Sequence, residues 1–97
     1  MKTNPVWVRR PTEKQLAFME TCPLFERDPK LWPVERGDNE ETFLMLEGRG
    51  YIEMEGGDTY RFSKGDLVTM RPKIKCMWCV EEHLAKRYAH DIDLDNF

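Results

Sequence analysis

The sequence predicts one all-β domain, a sandwich or barrel with a short helix near its N-terminus. Three observations predict it. Short β-compatible segments recur at intervals of about 8–12 residues, glycine-rich turns separate them, and no helical period competes beyond residue 22. Residues 1–10 read as extended, because Pro5 blocks a helix and Val6, Trp7 and Val8 suit a strand. Pro11-Thr12 opens the helix, with Thr12 as cap, Gln15 three residues on, and Leu16, Phe18 and Met19 as its buried side. Cys22-Pro23 ends it. Pro23, Pro29 and Pro33 make Leu24 to Val34 a meander of turns and short edge strands, and Arg36-Gly37-Asp38-Asn39 is a turn. Strands then follow in ETFLMLE from Glu41, in YIEM from Tyr51, around Tyr60 and Phe62, in LVTM from Leu67, in CMWCV from Cys76 and in LAKRYAHDI from Leu84. Gly48, Gly56-Gly57 and Gly65 mark the turns between the first four. The expected division is an N-terminal extension with the helix over 1–31, a barrel over about 32–90 and an acidic tail over 91–97.

Composition narrows the function. The chain has 97 residues, 40% hydrophobic and 34% charged, which suits one globular core and leaves no room for a separate cofactor domain. Lys plus Arg number 15 against 18 Asp plus Glu, and no basic stripe of the kind that binds nucleic acid is present. No apolar run approaches the ~20 residues of a membrane span. The N-terminal stretch MKTNPVWVRRPTEK has no apolar core of the secretory type, so the expected compartment is the cytoplasm. The odd cysteine count (Cys22, Cys76, Cys79) argues against a disulfide framework.

The segment ETFLMLEGRGYIEMEGGDTYRFSKGDLVTMRPKIKCMWCVEEHLAKRYA resembles the small single-domain cupins. It is closest to the subgroup related to the cupin domain of (S)-ureidoglycine aminohydrolase. The resemblance runs from Trp32 to Tyr88 and rests on LEG followed by a hairpin, and on GDLVTM followed eight residues later by Trp78. It implies a cupin jelly-roll β-barrel and a homodimer. The first cupin motif carries a His-x-His pair, then a glutamate and, after six residues, a glycine. Glu41 holds the glutamate position relative to Gly48, but Glu35-Arg36-Gly37-Asp38 stands where the histidines belong. Counting the second motif from Gly65 places Arg71, Lys73 and finally Cys76, the last in place of the remaining metal histidine. The subgroup often has a cysteine there, and a His-Tyr pair in the final strand where this chain has Arg87-Tyr88. These replacements imply no bound transition metal and no cofactor.

Counting alternate residues from Glu41 gives the inward positions Glu41, Phe43, Met45, Ile52, Met54, Cys76 and Trp78, with Val68, Met70 and Val80. Such a set either fills a small barrel or lines an apolar, aromatic pocket. Glu41 is the sharper candidate, since an inward carboxylate is costly without a partner. It reads as an acid/base group or a ligand anchor with Tyr88 as second catalytic candidate, or as one half of a structural ion pair. Phe43, Met45, Met54, Arg71, Lys73, Cys76, Trp78 and Arg87 are the candidate ligand-binding residues; Arg71 and Lys73 are expected to rim the opening. Of Arg87 and Tyr88 only one can point inward, and the expected one is Tyr88. Cys76-x-x-Cys79 lies on a strand, where residues three apart face opposite sides, so neither a redox pair nor a zinc site with His83 is expected. Asp91-x-Asp93-x-Asp95 starts like a calcium loop but lacks the glycine and glutamate such a loop needs, leaving an edge strand with Ile92 and Leu94 on one face. Three functions remain open: a metal-independent binder of an unknown small molecule, a metal-dependent enzyme of the aminohydrolase, isomerase or dioxygenase type, and a non-catalytic structural or regulatory dimer.

Overall fold

The computed structural model describes residues 4–97, and pairs their strands into two antiparallel sheets. The elements run β1 (Val6–Arg9), α1 (Glu13–Met19), β2 (Leu24–Arg27), β3 (Lys30–Glu35), β4 (Glu41–Glu47), β5 (Arg49–Met54), β6 (Thr59–Ser63), β7 (Leu67–Met70), β8 (Lys75–Val80) and β9 (Leu84–His90), closing with a 3-10 turn at Leu94–Asn96. One sheet has the order β1-β7-β4-β9-β2 and the other β3-β8-β5-β6. The proline-rich meander therefore supplies an edge strand to each sheet. Pro33 sits in β3, where the missing N–H costs least because one side of the strand is unpaired. The extended segment expected at the N-terminus is β1 where it is described; residues 1–3 lie outside the described residues.

The inner faces of the sheets meet in one core. Phe43, Met45, Ile52, Phe62, Val68, Met70, Trp78, Val80 and Leu84 are buried there, and Cys76 with them. The phase counted from Glu41 is thus the phase the strands adopt. On β8, Cys76, Trp78 and Val80 point inward while Met77 and Cys79 point out, and all three cysteines are free.

β4 is apolar on both faces for a second reason. Leu44 packs outward into a smaller cluster with Met19, Cys22, Leu67 and Leu94, against which Leu46 and Phe18 also pack. Helix α1 and the tail form this cover, so Leu44 and Leu46 do not meet a second sheet as a simple sandwich would have them. Thr12 caps α1 in a reciprocal capping box with Gln15, as its spacing predicts. Two expectations are corrected here. The buried helix positions are Gln15 and Met19, while Leu16 is exposed; Gln15 donates to the Leu94 carbonyl at 2.9 Å and so ties helix to tail. The tail is no edge strand: Leu94 turns into the second cluster on the 3-10 turn, and Ile92 is left exposed.

Gly48, between β4 and β5, carries φ +86°, and a Cβ there would run into the His83 backbone carbonyl. Gly57 has φ +99° but open space around it. Gly48→Ala is therefore expected to cost clearly more than the ~1 kcal/mol of a positive-φ alanine, and Gly57→Ala only that strain. Urea unfolding of the two variants checks the order; equal losses would contradict the close approach.

Candidate functional site

Alternation along β4 and β9, with Arg36 just beyond β3, brings one charged cluster into the apolar interior. Glu41 opens β4 on the inward side, opposite His90 of β9. Two inward rows further along, Lys86 sits opposite Met45, and its stem crosses the Phe43 ring to reach back to the carboxylate. Lys86 Nζ donates to Glu41 Oε2 at 2.9 Å, and Arg36 donates to Oε1 at 3.3 Å. His90 Nε2 lies 3.3 Å from the same Oε1. Glu41 and Lys86 are both 7% exposed, so the pair is buried rather than a surface contact. The ammonium also lies 4.3 Å from the Phe43 ring centre and 4.7 Å from that of Trp78, which replaces part of its lost hydration.

Burial alone would raise the Glu41 carboxyl pKa, but Lys86, Arg36 and His90 together outweigh it and hold the group below its ordinary value. Lys86 goes the other way for a cation: burial lowers its pKa, and Glu41 offsets only part of that. Glu41 is therefore an ionised anchor, and Lys86 holds its proton less tightly than a surface lysine. A carboxyl group depressed on folding stabilises fully above its ordinary value and loses that contribution as pH falls through the depressed one. Unfolding followed by urea from neutral pH downward should thus show an acid limb that Glu41→Gln flattens. An unchanged limb would mean the pair contributes nothing.

Beside this pair is a cavity of about 120 Å³. Its wall comes from Phe25 and Arg27 of β2, Trp32 and Val34 of β3 with Arg36 beyond it, Glu41, Met70, Trp78 and Val80, and Leu84 and Lys86 of β9. Trp32 and Trp78 are directly opposed across the β3–β8 pair, with ring centres 5.8 Å apart. Trp78 is 4% exposed and packs on Phe43 and Phe62 behind it, so it is both core and wall.

Residues 14–88 match the EutQ-like cupin domain. The chain belongs to the EutQ-like cupin family. Among solved structures it is similar to a DUF861-family protein from Thermotoga maritima, at 32% identity and TM-score 0.80, over 87% of this chain and 97% of that one. It is also similar to a putative ethanolamine utilization protein Q from Salmonella typhimurium (16% identity, TM-score 0.62, 88% of this chain and 68% of that one) and to ectoine synthase from P. lautus (17% identity, TM-score 0.60, 93% and 66%). The last two likenesses are of fold. Among curated proteins no match is found.

Within this cupin the sequence-derived candidates separate. Glu41 and Trp78 share the cavity, with Phe43 and Met45 buried behind it in the core. Tyr88 lies on the inward side of β9, half-buried against the core, and Arg87 lies on the other face, where its guanidinium donates to the Cys22 carbonyl at 2.8 Å. Arg71 and Lys73 do not rim the cavity, which corrects that expectation. Arg71 turns to Glu40 at 2.8 Å in a separate surface hollow with Trp7 and Asp95, and Lys73 reaches out to Asp38 in solvent. Met54 and Cys76 border another shallow groove beside Glu53 and Lys75. Burial raises the Cys76 thiol pKa despite Arg36, so it is a poor nucleophile.

The sequence candidates omit the apolar wall residues Phe25, Val34 and Leu84 and, more consequentially, Arg27, Trp32, Arg36, Lys86 and His90. For the last two a signal was present, since the alternation that turns Tyr88 inward turns Lys86 and His90 inward too.

A cupin metal centre does not fit this donor set. Glu41 already carries Lys86, Arg36 and His90 on its two oxygens, and two of those are cations that oppose a divalent ion at the same place. Among the described residues, no three His, Cys, Asp or Glu side chains converge to hold a metal. Nor, among them, is any helix long and apolar enough to cross a membrane.

Proposed function

We propose that this cupin binds a small molecule in the cavity between its sheets, held by the Glu41–Lys86 pair and lying against Trp32 and Trp78. One observation carries the reading: a buried carboxylate–lysine pair faces open space rather than being sealed into the core. Taking two charges out of water costs several kcal/mol per ion, and a well-packed apolar pair usually serves stability as well or better. A charged pair beside an aromatic wall suits recognition of a polar ligand with one flat or apolar side. The cavity is well under the ~300–1,000 Å³ of drug-sized sites, which limits the occupant to a few heavy atoms.

The likeness of LEG-hairpin and GDLVTM-to-Trp78 to the ureidoglycine aminohydrolase-like subgroup supports a place beside that subgroup, without its metal chemistry, for which the donor set does not serve. Glu41, held ionised, is an acceptor and anchor in this reading. Tyr88 is not part of the cavity wall; it lies beside His90, ring centres 5.7 Å apart, and in this reading touches no ligand. The homodimer implied by the resemblance is supported by Leu24 and Leu31, which are 50% and 58% exposed on the edge strands β2 and β3. A cytoplasmic location belongs to the same proposal, supported by three cysteines that are all free.

Native mass spectrometry of the purified chain tests the binding. The expected spectrum shows a small adduct that is released on denaturation and absent from Val34→Trp, in which the larger ring fills the cavity. A spectrum with no adduct, or one that Val34→Trp leaves unchanged, contradicts the reading.

A further inference from the structure

The charges around the cavity do not balance. Arg27, Arg36 and Lys86 face it, and Glu41 is the one carboxylate in its wall. The imbalance survives even if Lys86 gives up its proton, because two guanidinium groups still oppose one carboxylate. Arg36 spends one terminal nitrogen on Glu41 and the other on the Asn39 carbonyl, and leaves its Nε buried without a hydrogen-bond partner. Arg27 is more exceptional. Its guanidinium carbon lies 4.8 Å from the Trp32 ring centre and 5.1 Å from that of Phe25, so the cation is held over two aromatic rings. Its Nε is buried without a partner, and among the described residues the whole side chain has no hydrogen bond or ion pair. A guanidinium held over aromatic rings, with its edge donors unspent, is prepared for a planar two-oxygen acceptor.

We infer that the ligand of this cavity is a small carboxylate anion, its two oxygens received by Arg27 and Arg36 and its apolar end lying against the wall that Trp32 and Trp78 form together. The inference rests on the binding reading above and adds the ligand's charge and class. Glu41 has the complementary part: it occupies Lys86 and one arm of Arg36, so that the positive field is directed rather than diffuse, and it turns away ligands whose carboxylate would enter the wrong way round. An uncharged isostere would leave both guanidinium edges unpaired, and an organic cation would meet the same excess of charge that the anion relieves.

The test is a titration of the full chain with propionate, isobutyrate and lactate, each matched by its amide and with propylammonium as the cationic probe. The indole N–H resonances of Trp32 and Trp78 are the readout. The acids are expected to shift both resonances saturably, with the amides bound about tenfold or more weakly, the equivalent of one charge-assisted hydrogen bond. Arg27→Gln should lose about the same factor for the acids and little for the amides, while Arg27→Lys, which keeps charge but not the fork, should fall between. Equal binding of acid and amide, or preference for propylammonium, overturns the anion assignment while leaving the cavity a binding site. Acid binding indifferent to Arg27→Gln overturns it as well, as does silence across the acid series. A neutral adduct in the native mass spectrum would do the same and would leave the binding reading standing.

Discussion

Glu41→Leu is expected to destabilise the domain by about 3–5 kcal/mol, the usual cost of stripping one partner from a buried ion pair. The variant leaves Lys86 at 7% exposure beside Arg36, with no carboxylate to answer either. Lys86 can escape part of the loss by giving up its proton, and this makes the effect depend on pH. A lysine whose pKa is lowered on folding binds fewer protons folded than unfolded between the lowered value and its ordinary 10.5, so stability rises with pH across that window. The deficit of Glu41→Leu should accordingly be largest near neutral pH, shrink toward alkaline pH as Lys86 gives up its proton, and shrink in acid once the parent's Glu41 is protonated. Lys86→Met should cost less than Glu41→Leu, because Glu41 keeps Arg36 and His90. The double variant should be more stable than Glu41→Leu alone, since both charges go together and two apolar side chains remain among aromatic neighbours. Urea unfolding of the cycle checks the order, and strictly additive losses would mean that the pair is not coupled.

Trp78→Ala is expected to lose about 3–5 kcal/mol, the range for emptying a buried aromatic position. The indole touches Phe43, Phe62 and Trp32, with ring centres 5.2–5.8 Å away, and its N–H points at the Met70 sulfur at 3.3 Å. Against a typical total of about 5–15 kcal/mol for a domain, such a loss brings the fold close to its limit. It also removes one wall of the cavity and one of the rings facing Lys86. Trp32→Ala provides the contrast. Trp32 is half-buried on an edge strand, so the substitution should cost markedly less stability while still weakening ligand binding. Thermal melts of both variants decide it; at roughly 4–8 °C per kcal/mol for a chain of this size, the difference is easily read. Equal losses would show Trp32 to be as much a core residue as Trp78.

Much of this architecture is legible in the chain because strand alternation is a strict code. From Glu41 the count reaches Phe43 and Met45, and across the sheet Cys76 and Trp78, and all of these turn inward. The glycines at 48, 57 and 65 carry the positive φ their turns require. Three features obscured the rest. Arg27 and Arg36 flank a stretch broken by Pro29 and Pro33, where short edge strands give too few residues for a period to show. Lys86 hides because a lysine in a strand reads as solvent-facing, and only the partner carboxylate, 45 residues earlier, makes its burial tolerable. Arg71 and Lys73 were misplaced because sequence motifs fix a loop's position along the chain but not the direction of its side chains. Glu40 and Asp38 draw them away from the cavity. The tail reads as alternating, yet Leu94 serves the helix-covered cluster, a demand invisible until Met19, Leu44 and Leu67 are brought together.

The central claim is that the charged pair faces a binding cavity rather than serving as a structural bridge in a filled core. High-resolution diffraction from crystals of the chain purified without added ligand tests it most directly. The account predicts density beyond isolated waters in the cavity against Trp32 and Trp78, within hydrogen-bonding reach of Arg27 or Arg36, with Glu41 and Lys86 paired at its edge. Arg27 turned out to solvent, with protein side chains filling the cavity and no space left beside the pair, would contradict it.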